Sequence, residues 1–113
     1  MKKEIIIDGI RHVPEIKPEI SKIKTVRTYS AGVFAGEVTE ENGKEVTMKN
    51  ARRLFYWSGA ASLSQLTMEG VKNPDECKFP CPVNRVVLKE AIEVLDMTNE
   101  AWENICKVPI WEK

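Results

Sequence analysis

Long apolar stretches are missing from this sequence: none exceeds three or four residues, against the roughly 20 that a membrane helix needs. An excess of one charge is missing too, because 17 Lys+Arg balance 17 Asp+Glu. That balance disfavours a generic polyanion binder and gives no reason to expect genomic DNA as a partner. Residues 1–60 carry +3 and residues 61–113 carry −3, an asymmetry too small to mark a DNA-binding arm. Histidine is almost absent, with His12 alone, and cysteine is limited to Cys77, Cys81 and Cys106. The C-x-x-x-C spacing is one residue wider than a zinc knuckle, and a four-ligand set would have to draw on His12 from the other end of the chain, so no metal or cofactor is expected. There is no G-x-x-x-x-G-K-[ST] loop and no G-x-G-x-x-G. The first residues show no apolar signal core or small-residue cleavage site. With the odd cysteine count, this predicts free thiols in a reducing cytoplasm.

What is present suits one modest core: 113 residues, 42% hydrophobic and 30% charged, the size of a single domain. Residues 4–13 read as two short strands around Asp8-Gly9, an N-terminal hairpin within 1–14. Pro14 and Pro18 break the chain after it. Residues 23–34 alternate and are rich in β-branched and aromatic side chains, with Gly32 and Gly36 as possible bulges. Asn42-Gly43 supplies a second hairpin turn before a short strand at 45–48. Asn50 starts a link, and RRLFYW at 52–57 reads as a further strand. A β-meander over 23–57 follows, about five strands with the N-terminal hairpin. Ser62 and Gln65 form a capping-box pattern, and Gly70 is placed to end a helix, giving helix 1 within 58–70. Helix 2 spans 98–108, with Ala101, Trp102, Ile105 and Cys106 on one stripe. Residues 71–84 read as loop. Residues 86–97 fit a helix by periodicity, but the cap at Thr98 demands a break, which favours a strand near 92–97. The expected fold is α+β: mainly an antiparallel meander with two short helices packed on it, in one domain.

Catalytic signals are few. His12 falls within the predicted hairpin, where an imidazole is commonly structural or exposed, and the carboxylates are scattered over turns. The protein is therefore not expected to be an enzyme. A binding site assembles more readily. Along a strand, Arg53, Phe55 and Trp57 share one face and Arg52, Leu54 and Tyr56 the other. Arg27 and Tyr29 repeat the pairing. Guanidinium forks match phosphate oxygens and flat rings stack on bases. Ser58 opens a small-residue run into a helix start, where unpaired N–H groups favour anions. Phe79, Asn84 and Arg85 add a ring, an amide and a cation on a proline-stiffened loop. The plain alternative is that Leu54, Phe55 and Trp57 are core, Ser62 merely caps its helix, Arg52 and Arg53 pair with glutamates on the surface, and Phe79 plugs a loop.

Three segments sharpen this choice: RTYSAGVF at 27–34, ARRLFYWSGAASLSQL at 51–66 and CKFPCPV at 77–83. They resemble a family of small phage and prophage proteins of formerly unknown function, sometimes mislabelled as ABC-transporter ATPases, over most of residues 23–111. That family in turn resembles the anti-Thoeris proteins, sponges that sequester glycocyclic ADP-ribose, the cyclic nucleotide signal made by TIR enzymes, without cleaving it. Some relatives also bind cyclic oligonucleotides. The resemblance implies a homo-oligomer, a dimer or higher, with pockets at subunit interfaces, acting in the cytoplasm of an infected or lysogenic bacterial host. It implies Phe79 as base stacker, Asn84 as a base or ribose contact, and Arg27, Arg52, Arg53 and Arg85 as phosphate contacts. Alternatives are a small nucleic-acid- or nucleotide-binding phage accessory protein, or a nucleotide-cleaving enzyme.

Overall fold

The computed structural model describes residues 22–113; the expected hairpin within 1–14 and His12 lie outside them. Five strands and two helices follow in the order β1 (Ile23–Thr28), β2 (Val33–Asn42), β3 (Glu45–Arg53), α1 (Leu63–Glu69), β4 (Val83–Leu88), β5 (Ala91–Asp96) and α2 (Asn99–Cys106), with a 3-10 turn at Pro74–Glu76 between α1 and β4. All strand pairs are antiparallel, in the order β4-β3-β2-β1-β5. The described chain is thus α+β, as expected.

The hairpin turn read at Asn42-Gly43 joins β2 to β3, with Gly43 at a φ of +61° and Asn42 facing Glu45. The expected link at Asn50 is instead a bulge. β3 runs unbroken from Glu45 to Arg53, Asn50 takes a φ of +51°, and the register against β2 slips beside Gly36. A Cβ on Gly36 would stand 2.8 Å from the Ala51 Cα, so glycine is what lets the bulged strand pass. Residues 54–57 were expected to continue as strand, but the sheet ends at Arg53. Beyond it only the Leu54 amide bonding to the Val33 carbonyl (2.8 Å) and a bridge between Tyr56 and Lys78 hold the strap. Residues 86–97 resolve into parts of two strands, with the expected one as β5 and the helical alternative unrealised.

Only Lys89 and Glu90 separate β4 from β5, yet these strands occupy opposite edges of the sheet. Three Cα steps span about 11 Å, so the sheet has to curl until its edges meet. At that seam the Ala91 amide bonds to the Lys44 carbonyl (2.9 Å) and the Tyr29 amide to the Glu90 carbonyl (2.9 Å). The curl encloses one core, built on Val26, Phe34, Val46, Met48 and Leu88. The outer face carries the second, where Ala35 and Leu54 meet Leu66, Phe79, Ala101 and Ile105. Buried Thr67 on α1 donates to Thr25 on β1 (3.0 Å), and Asn104 on α2 exchanges two hydrogen bonds with the Val71 backbone, fixing the helices in place.

Candidate functional site

At the end of the sheet the turn at 29–32 and the strap at 54–57 frame an open cavity of about 440 Å³. One wall is residues 30–33. The Thr28 amide (3.0 Å) and hydroxyl (2.7 Å) both donate to the Gly32 carbonyl, the Ala31 amide donates to the Thr28 hydroxyl, and Ser30 donates to Glu90. Gly32, at a φ of +92° with open space around it, makes this turn possible. The other wall is Arg53, Leu54, Phe55 and Trp57. Arg53 also lines a second cavity of about 260 Å³ at the mouth of the curled sheet, beside Pro80, Cys81 and Val83. Its guanidinium carbon lies over the Phe34 ring, 4.7 Å from the centroid, within the range of a cation–π attraction. No carboxylate pairs with Arg53 among the described residues. A cation shared by two openings and left unneutralised is suited to a phosphate or other oxyanion.

The remaining expected contacts divide. Trp57 lines the larger cavity, half-buried, and Tyr29 stands 79% exposed next to its rim. Arg27 is at the same end, but its Nε donates to Glu93 (2.8 Å), so its charge is already matched. Ser58 is taken by its neighbours, donating to Glu76 and accepting from the Asn73 amide (both 3.1 Å). The expected anion cradle at the start of α1 is also closed, because Ser62 accepts from the Gln65 amide (3.1 Å) and the Gln65 side chain turns back to the Ala61 amide (2.9 Å). Asn84 and Arg85 are exposed on edge strand β4 and line none of these cavities.

Two expectations need correction. Phe79 is fully buried, a plug under the helices, so no ligand base reaches its ring. Arg52 is 4% exposed, and it donates to the carbonyls of Pro80 (Nε, 3.1 Å), Phe79 (Nη2, 3.1 Å) and Ile105 (Nη1, 2.8 Å). It ties the 79–82 loop to the end of α2 and is not an exposed phosphate contact. Strand alternation put Arg52 and Arg53 on opposite faces; burial decides which of the two a ligand meets.

The sequence reading passed over a ring cluster. Phe55 and Trp111 stack with centroids 5.4 Å apart and planes 5° from parallel, and the Lys78 ammonium lies within about 6 Å of both Tyr56 and Trp111. No local pattern links residues 55 and 111, which the Trp111 amide bonding to the Phe79 carbonyl brings together. Burial raises the thiols of Cys77 and Cys106 above the ordinary range. Among the described residues no group of three or more His, Cys, Asp or Glu is gathered to hold a metal ion, and no helix is long and apolar enough to cross a membrane.

A model of the DUF6948 domain, a domain of unknown function, matches residues 22–105. The chain belongs to that family. No curated protein and no solved structure matches it. The DUF6948 match takes in every strand of the curled sheet and both cavity walls at Arg53, whereas Trp111, which stacks on Phe55, lies beyond it.

Proposed function

We propose that this DUF6948 protein is a phage-encoded sponge that binds glycocyclic ADP-ribose and holds it uncleaved, keeping Thoeris immunity from firing. The observation that carries the reading is Arg53: a guanidinium with no carboxylate partner among the described residues, lying over Phe34, shared by two openings and flanked by Phe55 and Trp57. In this reading Arg53 takes the diphosphate, Trp57 and Phe55 take the adenine, and backbone N–H groups at 30–33 meet the ribose. The resemblance of segments 27–34, 51–66 and 77–83 to the anti-Thoeris group supplies the identity of the ligand.

A diphosphate carries two negative charges, while Arg53 is the one cation among the described residues that line either cavity. The proposed pocket is therefore completed by a second copy of the chain, which makes the working form a homo-oligomer in the bacterial host cytoplasm. A nanomolar trap needs about −12 kcal/mol, within reach of stacked rings and charge-assisted bonds closed off from water. The test is to mix purified protein with the TIR product, remove protein by filtration, then heat the retained fraction. The expected result is depletion of the signal followed by its intact return. A chemically altered nucleotide instead identifies a cleaving enzyme, and an undepleted filtrate refutes the proposal.

The exposed Phe55–Trp111 stack beside Lys78 favours a second reading, a single-strand nucleic-acid binder of the phage. Such binding weakens steeply with salt; oligonucleotide affinity that is absent or unchanged between low and high salt removes it.

A further inference from the structure

The outer face of β3 holds a buried cation whose donors are not all used. A guanidinium has five N–H groups, and Arg52 commits three of them, to the carbonyls of Phe79, Pro80 and Ile105. All three acceptors are neutral, and no carboxylate pairs with Arg52 among the described residues. Burying a cation without a counter-charge costs several kcal/mol, offset here in part by the C-terminal end of α2, whose Ile105 carbonyl faces it. The group is not sealed off. It lines an open cavity of about 370 Å³ with Asn50, Pro82, Trp102, Cys106 and Ile110. This cavity lies across β3 from Arg53 and shares no lining residue with the cavity between the turn and the strap.

We propose that this second cavity binds a small organic monoanion, an aromatic carboxylate, with its carboxylate on the two remaining Arg52 N–H groups and its ring along Trp102 and Ile110. Among the described residues the lining holds one positive charge and no negative one, which matches a single carboxylate better than a phosphate dianion. Its other walls are mainly apolar, matching a flat hydrocarbon body, and its volume falls in the range of small-molecule sites. Arg52 thereby gains the counter-charge that the fold does not supply.

Benzoate is the probe, with benzamide as its neutral isostere and phenyl phosphate as the dianion. Two-dimensional NMR follows the Trp102 indole N–H, assigned with Trp102→Phe, and the Arg52 Nε–H. Benzoate is expected to move both signals saturably, benzamide and phenyl phosphate at least about tenfold more weakly. Because Arg52 variants risk unfolding, the decisive variant is Cys106→Phe, which fills the cavity from an exposed position; it is expected to abolish the benzoate shifts while the rest of the spectrum stays folded. Equal shifts with benzamide, stronger binding of phenyl phosphate, persistence in Cys106→Phe, or no saturable shift would each overturn the proposal.

Discussion

At the end of β3 two consecutive residues carry the same guanidinium into different surroundings. Arg52 turns to the helix side, where it is almost wholly buried and holds three carbonyls from two separate segments. Arg53 turns to the mouth of the curled sheet, exposed, lying on Phe34 and bordering two cavities. Arg52 is surrounded by Phe79, Ile105 and Val108, all nearly inaccessible to solvent, and reaches only the edge of the cavity beside Trp102. The region around Arg53 is edged by Tyr29, Phe55 and Tyr56, each more than half exposed. One chemical group therefore ties two segments together on one face and stays exposed on the other, and one step along a strand separates the two surroundings.

The comparison breaks most visibly around Arg52. Phe79→Ala removes a fully buried ring and is expected to cost about 3–5 kcal/mol, read as a fall in the urea midpoint; Phe55→Ala, at 63% exposure, is expected to cost under about 1 kcal/mol. Arg52→Met keeps the stem but strands three carbonyls, with an expected loss of about 3 kcal/mol or more. Arg53→Met gives up one cation–π contact worth about 0.5–1 kcal/mol, so near-equal destabilisation by the two variants would dissolve the distinction.

Arg53→Ala sharpens it from the other side. Removing the cation proposed to meet a phosphate is expected to weaken nucleotide binding by about 2 kcal/mol, some 30-fold in Kd, with the melting curve little changed; isothermal titration of both proteins measures it. The smallest effect concerns the thiols of Cys77 and Cys106. Burial of the Cys77 thiol, and partial burial of the more exposed Cys106 thiol, hold their pKa values above those in the unfolded chain. The folded state thus keeps its protons longer, and the associated stability is intact below the unfolded thiol pKa and lost as pH rises through the folded one. Melts in reductant from neutral to alkaline pH are expected to show a modest decline that shrinks in Cys77→Ala/Cys106→Ala.

Much of the architecture was legible locally. Ser62 with Gln65 marked the start of α1, Thr98 that of α2, and Asn42-Gly43 the β2–β3 turn, because caps and tight turns depend on residues a few positions apart. The curl of the sheet was not legible, since it follows from a two-residue link between edge strands and from pairings of β4 and β5 with distant partners. The site was half legible for the same reason. Alternation put Arg52 and Arg53 on opposite faces, but which of the two is buried depends on Phe79 and α2, far along the chain. The bulge at Asn50 read as a break because asparagine is a common turn residue; its positive φ serves a bulge instead, opposite Gly36.

The central claim is that Arg53 and its flanking rings hold a cyclic nucleotide without changing it. Calorimetric titration of the protein with glycocyclic ADP-ribose, beside ADP-ribose and NAD, tests it most directly. The expected result is saturable binding of the cyclic compound at least tenfold tighter than either control, weakened some 30-fold in Arg53→Ala and followed by recovery of unaltered ligand. Heat traces indistinguishable among the three compounds, or undiminished binding in Arg53→Ala, would contradict it.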